Sequence, residues 1–489
     1  MTALADAPLD VLPDTRPLVA GERLDPSGGA VHPHVYAATG RVTAEVALGG
    51  PREIDAAVAA GRAALPRWRA LAAPERRAIL TRAAQLVLAD AERLSAIQTL
   101  ETSLPIQFAR GVPAVAADHL AYHAGWSDKV GGEVVTTWPG PALDYTVEEP
   151  YGVVAVIVPW NSPLVSMAQV AGAALAAGNC VVLKPPELAP FTSLRVGELF
   201  GEAGLPAGVL NVVPGGAGAG EALVRHPGVD KIHFTGSGAT ARRVLAGAQE
   251  HLTPVALELG GKSAHVIFAD SDPKAAARHA LSGLLIGSGQ GCVNGTRVLV
   301  ERPIYEQVLE HAVARLRRLP VGDPMRADTV LGPVITEVAC ERILGVIGRA
   351  RQEGSGLLVT GGERLGGDLA PGYFVAPTIF GDVDPASELA QDEIFGPVLA
   401  FAPFDTLQRA LDLANGTRYG LAAYVHTADV RRAHRVAAGL EAGNVWVNGF
   451  YGVAPSMPFG GNKQSGHGRV GGRAGLREFT RPKNVWLAL

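Results

Sequence analysis

The stretch Val153-Val-Ala-Val-Ile-Val158, closed by Pro159, decides the fold. Its residues are β-branched or small and show no polar alternation. That suits a strand buried on both faces, as in a parallel sheet, and proline ends it. Outward from it the pattern alternates. A helix is expected over 164–177, a strand over 180–183, a helix over 193–203 and a strand over 209–213. A helix over 220–225 and a strand over 231–234 follow. Alternating strands and helices imply a doubly wound parallel sheet with ligands at the carboxyl ends of its strands. Pro159, Lys184 and Thr235 fall at those ends. Upstream, residues 52–100 read as helical, with Ile54, Val58 and Ala59 on one face and a repeat of the pattern from Arg76 to Ala91. Past Glu258 the alternation resumes, with strands at 265–268 and 298–300 and helices at 273–286 and 304–316. The expected class is α/β, with two doubly wound α/β domains.

Length and composition narrow the function. A chain of 489 residues holds two or three domains and a large core. A net charge of −4 leaves no basic surplus to neutralise phosphates, which argues against nucleic acid as a partner. Cys180, Cys292 and Cys340 are too scattered for a disulfide framework or a zinc site, so no metal is expected and a reducing compartment is. Met1-Thr-Ala-Leu-Ala-Asp-Ala-Pro-Leu-Asp10 has neither a basic nor an apolar signal region, and the 153–158 run is too short to span a bilayer. A cytoplasmic protein with no membrane partner is expected.

Two segments carry chemistry. Ser288-Gly-Gln-Gly-Cys292 sets a cysteine among small residues, where the backbone can bend and a substrate can approach. Leu257-Glu258-Leu-Gly-Gly-Lys262 offers a carboxylate flanked by leucines, hence partly buried and raised in pKa. A cysteine attacks as thiolate, and the thioester it forms needs a base to activate water. The plainer alternatives are a small buried hydrophobe for Cys292 and a surface glutamate for Glu258.

Both segments resemble the NAD(P)-dependent aldehyde dehydrogenase superfamily. So do Pro159-Trp-Asn-Ser-Pro163, Lys184-Pro-Pro-Glu187, Phe234-Thr-Gly-Ser237, Glu393-Ile-Phe-Gly-Pro397 and Pro458-Phe-Gly-Gly-Asn-Lys-Gln-Ser-Gly466, all in family order. The resemblance implies a Rossmann-like NAD-binding domain over 1–126 and 149–257 and a catalytic domain over 258–457. It adds a small β oligomerisation element over 127–148 and 470–489, hence a homodimer or homotetramer. Cys292 is then the nucleophile, Glu258 the general base, and Asn161 an oxyanion donor beside the backbone N–H of Cys292. For the cofactor it implies Lys184 and Glu187 at the adenosine ribose and Gly236 and Ser237 at the pyrophosphate. Glu393 and Phe395 fall at the nicotinamide ribose and ring, and Trp160 in the cleft. The carboxylate of Glu187 accepts from a 2′-hydroxyl and repels a 2′-phosphate, which favours NAD over NADP. The implied reaction is oxidation of an aldehyde to a carboxylic acid through a thiohemiacetal and a hydrolysed thioester. A CoA-acylating dehydrogenase is the nearest rival, but that type generally lacks the glutamate at position 258. A non-catalytic protein on the same fold is the second rival, and retention of Cys292, Glu258 and Asn161 together argues against it.

Gly236-Ser-Gly238-Ala-Thr-Ala241 also fits the dinucleotide fingerprint, with Glu258 placed as its ribose acid. That reading would cost catalysis its base, and the resemblance assigns the ribose to Lys184 and Glu187 instead. Departures from the family are informative. Leu285 and Gly287 stand where an aromatic and an asparagine are usual. Val170 and Val470 replace a lysine and a glutamate that pair near the catalytic glutamate. Ser162, Val165, Ser166 and Gln169 open the expected substrate pocket, flanked by Gly291 and Val293 and closed by Val453 and Phe459.

Overall fold

The computed structural model describes residues 9–28 and 30–489; residues 1–8, on which the reading of a missing leader mostly rests, lie outside the described residues. Val153–Ile157 is buried along its whole length at the centre of an eight-stranded sheet. Cys180–Lys184 and Leu210–Val212 lie on one side of it, and Lys231–Thr235 and Val255–Glu258 on the other, all five parallel. The order of strands reverses between Val153–Ile157 and Lys231–Thr235, so a crevice opens where their carboxyl ends part. The register sets Ile157 beside Lys184 and Thr235 beside Glu258. These four residues therefore share one edge of the sheet.

Helices cover both faces. Pro163–Ala176 begins with proline in its first turn, where no N–H is missed, and its small residues pack tightly. Pro51–Ala70, Ala73–Ala89 and Ala91–Thr102 fill the span read as helical. Trp68 is buried, and its indole N–H donates to the Leu175 carbonyl at 3.3 Å. Three short strands lack a clear period. Leu18–Val19 and Glu22–Arg23 close one edge of the sheet, and Gly466–His467 pairs antiparallel with Leu257 and Glu258 at the other.

A second sheet has seven strands, in the order Leu357–Thr360, Thr378–Gly381, Val398–Phe404, Arg297–Glu301, Ala264–Ile267, Ala422–His426 and Asn444–Val447. All neighbours are parallel except the first pair. Pro273–Leu285 and Tyr305–Leu316 pack on it through one apolar core. A three-stranded sheet joins Val134–Val135, Ala142–Pro150 and Thr480–Ala488, the last two antiparallel from Thr480 beside Pro150 to Ala488 beside Ala142. Among the described residues no helix is long and apolar enough to cross a membrane, and no cluster of His, Cys, Asp and Glu could hold a metal ion.

Val170 and Val470 are both buried in the core of the first sheet. Val170 lies on Pro163–Ala176; Val470 precedes Gly472–Arg477, a helix packed on it, and exchanges two backbone hydrogen bonds with Phe459 at 2.7 Å. Val170→Lys alone should cost about 3–5 kcal/mol of unfolding free energy, as should Val470→Glu alone, since each strands a buried charge. A double-mutant cycle from denaturant unfolding should show the pair recovering much of that loss. Additive costs would mean that the two positions do not meet.

Candidate active site

A cavity of about 920 Å³ lies between the carboxyl edge of the first sheet and the amino edge of the second. Glu258 and Cys292 both line it. Glu258 is the last residue of Val255–Glu258, and Cys292 lies in the loop that enters Arg297–Glu301. The nucleophile candidate thus sits at the amino end of its sheet, opposite to what the rule for open sheets suggests.

The loop holds Cys292 by its backbone. Gly287, Ser288 and Gly289 all have positive φ, at 56°, 55° and 78°. A Cβ on Gly289 would stand 2.1 Å from the Gly396 carbonyl oxygen, so only glycine fits. Ser288 Oγ donates to the Gly332 carbonyl at 2.8 Å. Gln290, flagged in the sequence only as part of a pattern, is the clasp. Its amide donates to the Gly287 carbonyl and accepts from the Ile335 N–H, both at 2.9 Å. Its own carbonyl accepts from Asn161 Nδ2 at 2.9 Å, which ties the Asn161 side chain to the loop of Cys292. Cys180 and Cys340 are fully buried packing residues.

Electrostatics favour neutral forms here. Glu258 is 6% exposed, and neither carboxyl oxygen has a hydrogen-bond partner among the described residues. Burial raises its pKa well above the ordinary carboxylate value, opposed in part by the Arg469 guanidinium. Burial likewise pushes the Cys292 thiol up to about 12, and the carboxylates of Glu393 and Glu258 add to the rise. Glu393 is raised to about 7 by burial although it accepts the Gly261 N–H at 3.0 Å.

The rest of the lining suits a dinucleotide. Lys184 is buried at the cavity wall with no hydrogen-bond acceptor among the described residues, and burial lowers its pKa against the pull of Glu187. Ser237 caps Gly238–Ala248 by accepting the Thr240 N–H at 3.3 Å, and other first-turn N–H groups remain free for an anion. Gly216 and Gly220 line the cavity with open space where a Cβ would stand. Gly236, Ser237, Glu393 and Phe395 line it too, and Trp160 meets Phe395 edge to face at 5.5 Å.

Of the expected pocket residues, Ser162, Val165, Ser166, Gln169 and Phe459 reach this cavity. Gly291, Val293 and Val453 do not line it. Val293 turns into a small core with Leu421 and Tyr424 behind the thiol. Val453 is half-buried, and Tyr451, two residues earlier, takes the wall. Glu187 stands outside the lining, beside Lys184.

Residues 25–485 match the model of the aldehyde dehydrogenase family. A betaine aldehyde dehydrogenase of Cereibacter sphaeroides is 42% identical over 96% of this chain and 96% of its own. Human mitochondrial aldehyde dehydrogenase is 41% identical over 93% of this chain and 88% of its own. The solved NAD+ complex of an aldehyde dehydrogenase from Bacillus cereus superposes with a TM-score of 0.96 over the whole of both chains, at 37% identity. The chain belongs to the aldehyde dehydrogenase family and is an enzyme that oxidises an aldehyde to a carboxylic acid with a nicotinamide dinucleotide.

Proposed function

We propose that Cys292 is the nucleophile, Glu258 the general base and Asn161 an oxyanion donor in a hydrolytic, NAD-preferring aldehyde dehydrogenase. The observation that carries this reading is the meeting of Cys292 and Glu258 in one cavity, each brought there by a different sheet. The thiolate attacks the carbonyl carbon. The oxygen that becomes an oxyanion takes hydrogen bonds from the Cys292 backbone N–H and from the Asn161 amide, each worth about 3–4 kcal/mol in comparable sites. A bound oxidised nicotinamide would supply a positive charge that favours the thiolate and an acceptor for the hydride that leaves the tetrahedral carbon as its oxyanion collapses to the thioester carbonyl. Glu258 then takes a proton from water as the water oxygen attacks the thioester carbon, and the Cys292 thiolate leaves. Thiolysis by CoA would need no such base, and Glu258 stands in the cavity as one.

Lys184 and Glu187 hold the adenosine ribose, and Gly236 and Ser237 the pyrophosphate. Glu393 and Phe395 hold the nicotinamide end, and Trp160 lines the cleft. Ser162, Ser166 and Gln169 leave room for a bulky aldehyde. The protein works as a homodimer or homotetramer through the three-stranded sheet, where Trp138 and Trp486 are 86% and 51% exposed. Its free thiols suit the cytoplasm.

Cys292→Ala should abolish NADH formation, while Cys180→Ala and Cys340→Ala stay active in the same assay. Activity in the Cys292 variant would overturn the mechanism.

The folded-state pKa of Glu258 is raised, so its proton stabilises the fold fully below the unfolded value and less as pH rises through the folded one. Glu258→Gln does not titrate there. Its melting temperature should therefore pull ahead of the wild type as pH rises above the ordinary carboxylate range. The variant should also stall after the first NADH while calorimetry shows NAD affinity nearly intact. A large loss of NAD affinity would restore Glu258 as the ribose acid of the fingerprint.

NAD should exceed NADP in kcat/KM by about tenfold or more, through the charge of Glu187. Equal use of the two would remove Glu187 from the ribose.

A further inference from the structure

Ser162, Ser166 and Gln169 follow one another at spacings of four and three, so they share one face of the helix entered from Asn161. All three line the cavity that holds Cys292. Gln169 is not free to turn. Its Nε2 lies 3.2 Å from Nε2 of His119, which is buried on Val112–Ala124, the helix packed behind. His123, one turn on, stacks against His119 at 6.5 Å. Burial keeps the His119 imidazole neutral, its pKa lowered to about 4. The imidazole therefore offers one nitrogen to the amide, and its Nδ1 has no partner. The amide is clamped at one end, and its other polar atom has no hydrogen-bond partner among the described residues.

The helix that carries Ser166 and Gln169 has no charged residue to match a charged substrate, and Tyr451, Phe459 and Val470 line the same cavity. Glu258 is an ionisable carboxyl in the same cavity, and burial disfavours its charged form. A carboxylate tail finds no cation among these side chains. A quaternary ammonium finds two aromatic rings and no counter-charge, too little for a cation–π enclosure. An apolar tail leaves the clamped amide unpaired, which a polar site penalises strongly. A hydroxyl both donates and accepts, so it satisfies the free end of the amide whichever way the amide is turned, and the two serine hydroxyls as well.

We infer that Gln169, positioned by His119, reads a hydroxyl on the tail of the aldehyde, so that the substrate class is neutral hydroxylated aldehydes. This rests on the aldehyde oxidation proposed above and names its substrate class. Gln169 is the specificity residue; His119 acts through it and touches no substrate.

The test is a kcat/KM panel with NAD on the wild-type enzyme. It comprises benzaldehyde, 3- and 4-hydroxybenzaldehyde, 4-methoxybenzaldehyde and trimethylammonioacetaldehyde. The better hydroxybenzaldehyde should exceed both benzaldehyde and the methoxy compound by at least about tenfold, and the ammonium aldehyde should be the poorest. In Gln169→Leu the hydroxyl-to-benzaldehyde ratio should fall by about tenfold, with electronic effects cancelling between the enzymes. His119→Phe should raise KM for the hydroxylated aldehyde far more than it lowers kcat, and His119→Asn should restore part of the loss. A preference for the ammonium aldehyde, or a wild-type ratio near one, would overturn the inference while leaving aldehyde oxidation intact. No NADH from any aldehyde would overturn the activity reading itself.

Discussion

The structure turns on a five-residue connection. Glu258 ends the first sheet, and Ala264 begins a central strand of the second. Between them Leu259-Gly-Gly-Lys-Ser263 must cross the cavity without filling it. Gly261 is sterically forced, since a Cβ there would stand 2.5 Å from the Cys292 carbonyl oxygen; a Cβ on Gly260 would stand 2.1 Å from Glu393 Oε2 and displace that side chain. The backbone of this crossing is also held. The Leu259 N–H donates to the Ser465 carbonyl at 2.9 Å, and Ser465 Oγ donates back to the Gly260 carbonyl at 2.7 Å. Because the crossing is short and bare, the carboxyl edge of one sheet faces the amino edge of the other. Glu258, Glu393 and Cys292 meet there and nowhere else.

That meeting has an electrostatic cost, which the site avoids by protonation. Three acidic groups line one cavity, and burial pushes each toward its neutral form; the carboxylates of Glu393 and Glu258 add to this at Cys292, while nearby cations oppose it at Glu258 and Glu393. The cation nearest Glu258, the Arg469 guanidinium, is spent on the carbonyls of Gly461 and Gly468 and on Asn462 Oδ1. The valines at 170 and 470 bring no charge to the Glu258 carboxyl, while Glu478, paired with Lys231 at 3.3 Å, adds to the rise of its pKa. Because Glu258 lines the cavity, its base strength is tied to whatever occupies it.

The sequence carried the regular part of the fold because buried parallel strands are short, continuous β-branched runs bounded by breakers. Val153–Ile157 and Cys180–Lys184 lie within a residue of where pattern alone put them. Gly466–His467 and Leu18–Val19 are two residues long, too short for any period, and were not anticipated. That Cys292, Glu258 and Asn161 line one cavity was legible because each sits in a segment that must bend or end a strand, and such segments have a marked composition. The pocket wall was less so. Val293 was expected beside the nucleophile and Val453 on the far wall, and side-chain direction in an irregular loop does not follow from position in the sequence. The Gln290 clasp and the His119–Gln169 contact join residues far apart along the chain. No local spacing announces either.

The antiparallel pairing of Gly466–His467 with Leu257 and Glu258 bears on how the chain is made. During synthesis from the amino end, Val255–Glu258 emerges more than two hundred residues ahead of the strand that covers it. Until then the first sheet ends in an open edge, with unpaired backbone groups able to recruit another chain. Contacts so distant in sequence form slowly. The carboxyl of Glu258 is thus enclosed late, after both sheets have the means to form. A ribosome stalled before that point would release a nearly complete α/β core, prone to aggregate and without a finished catalytic centre.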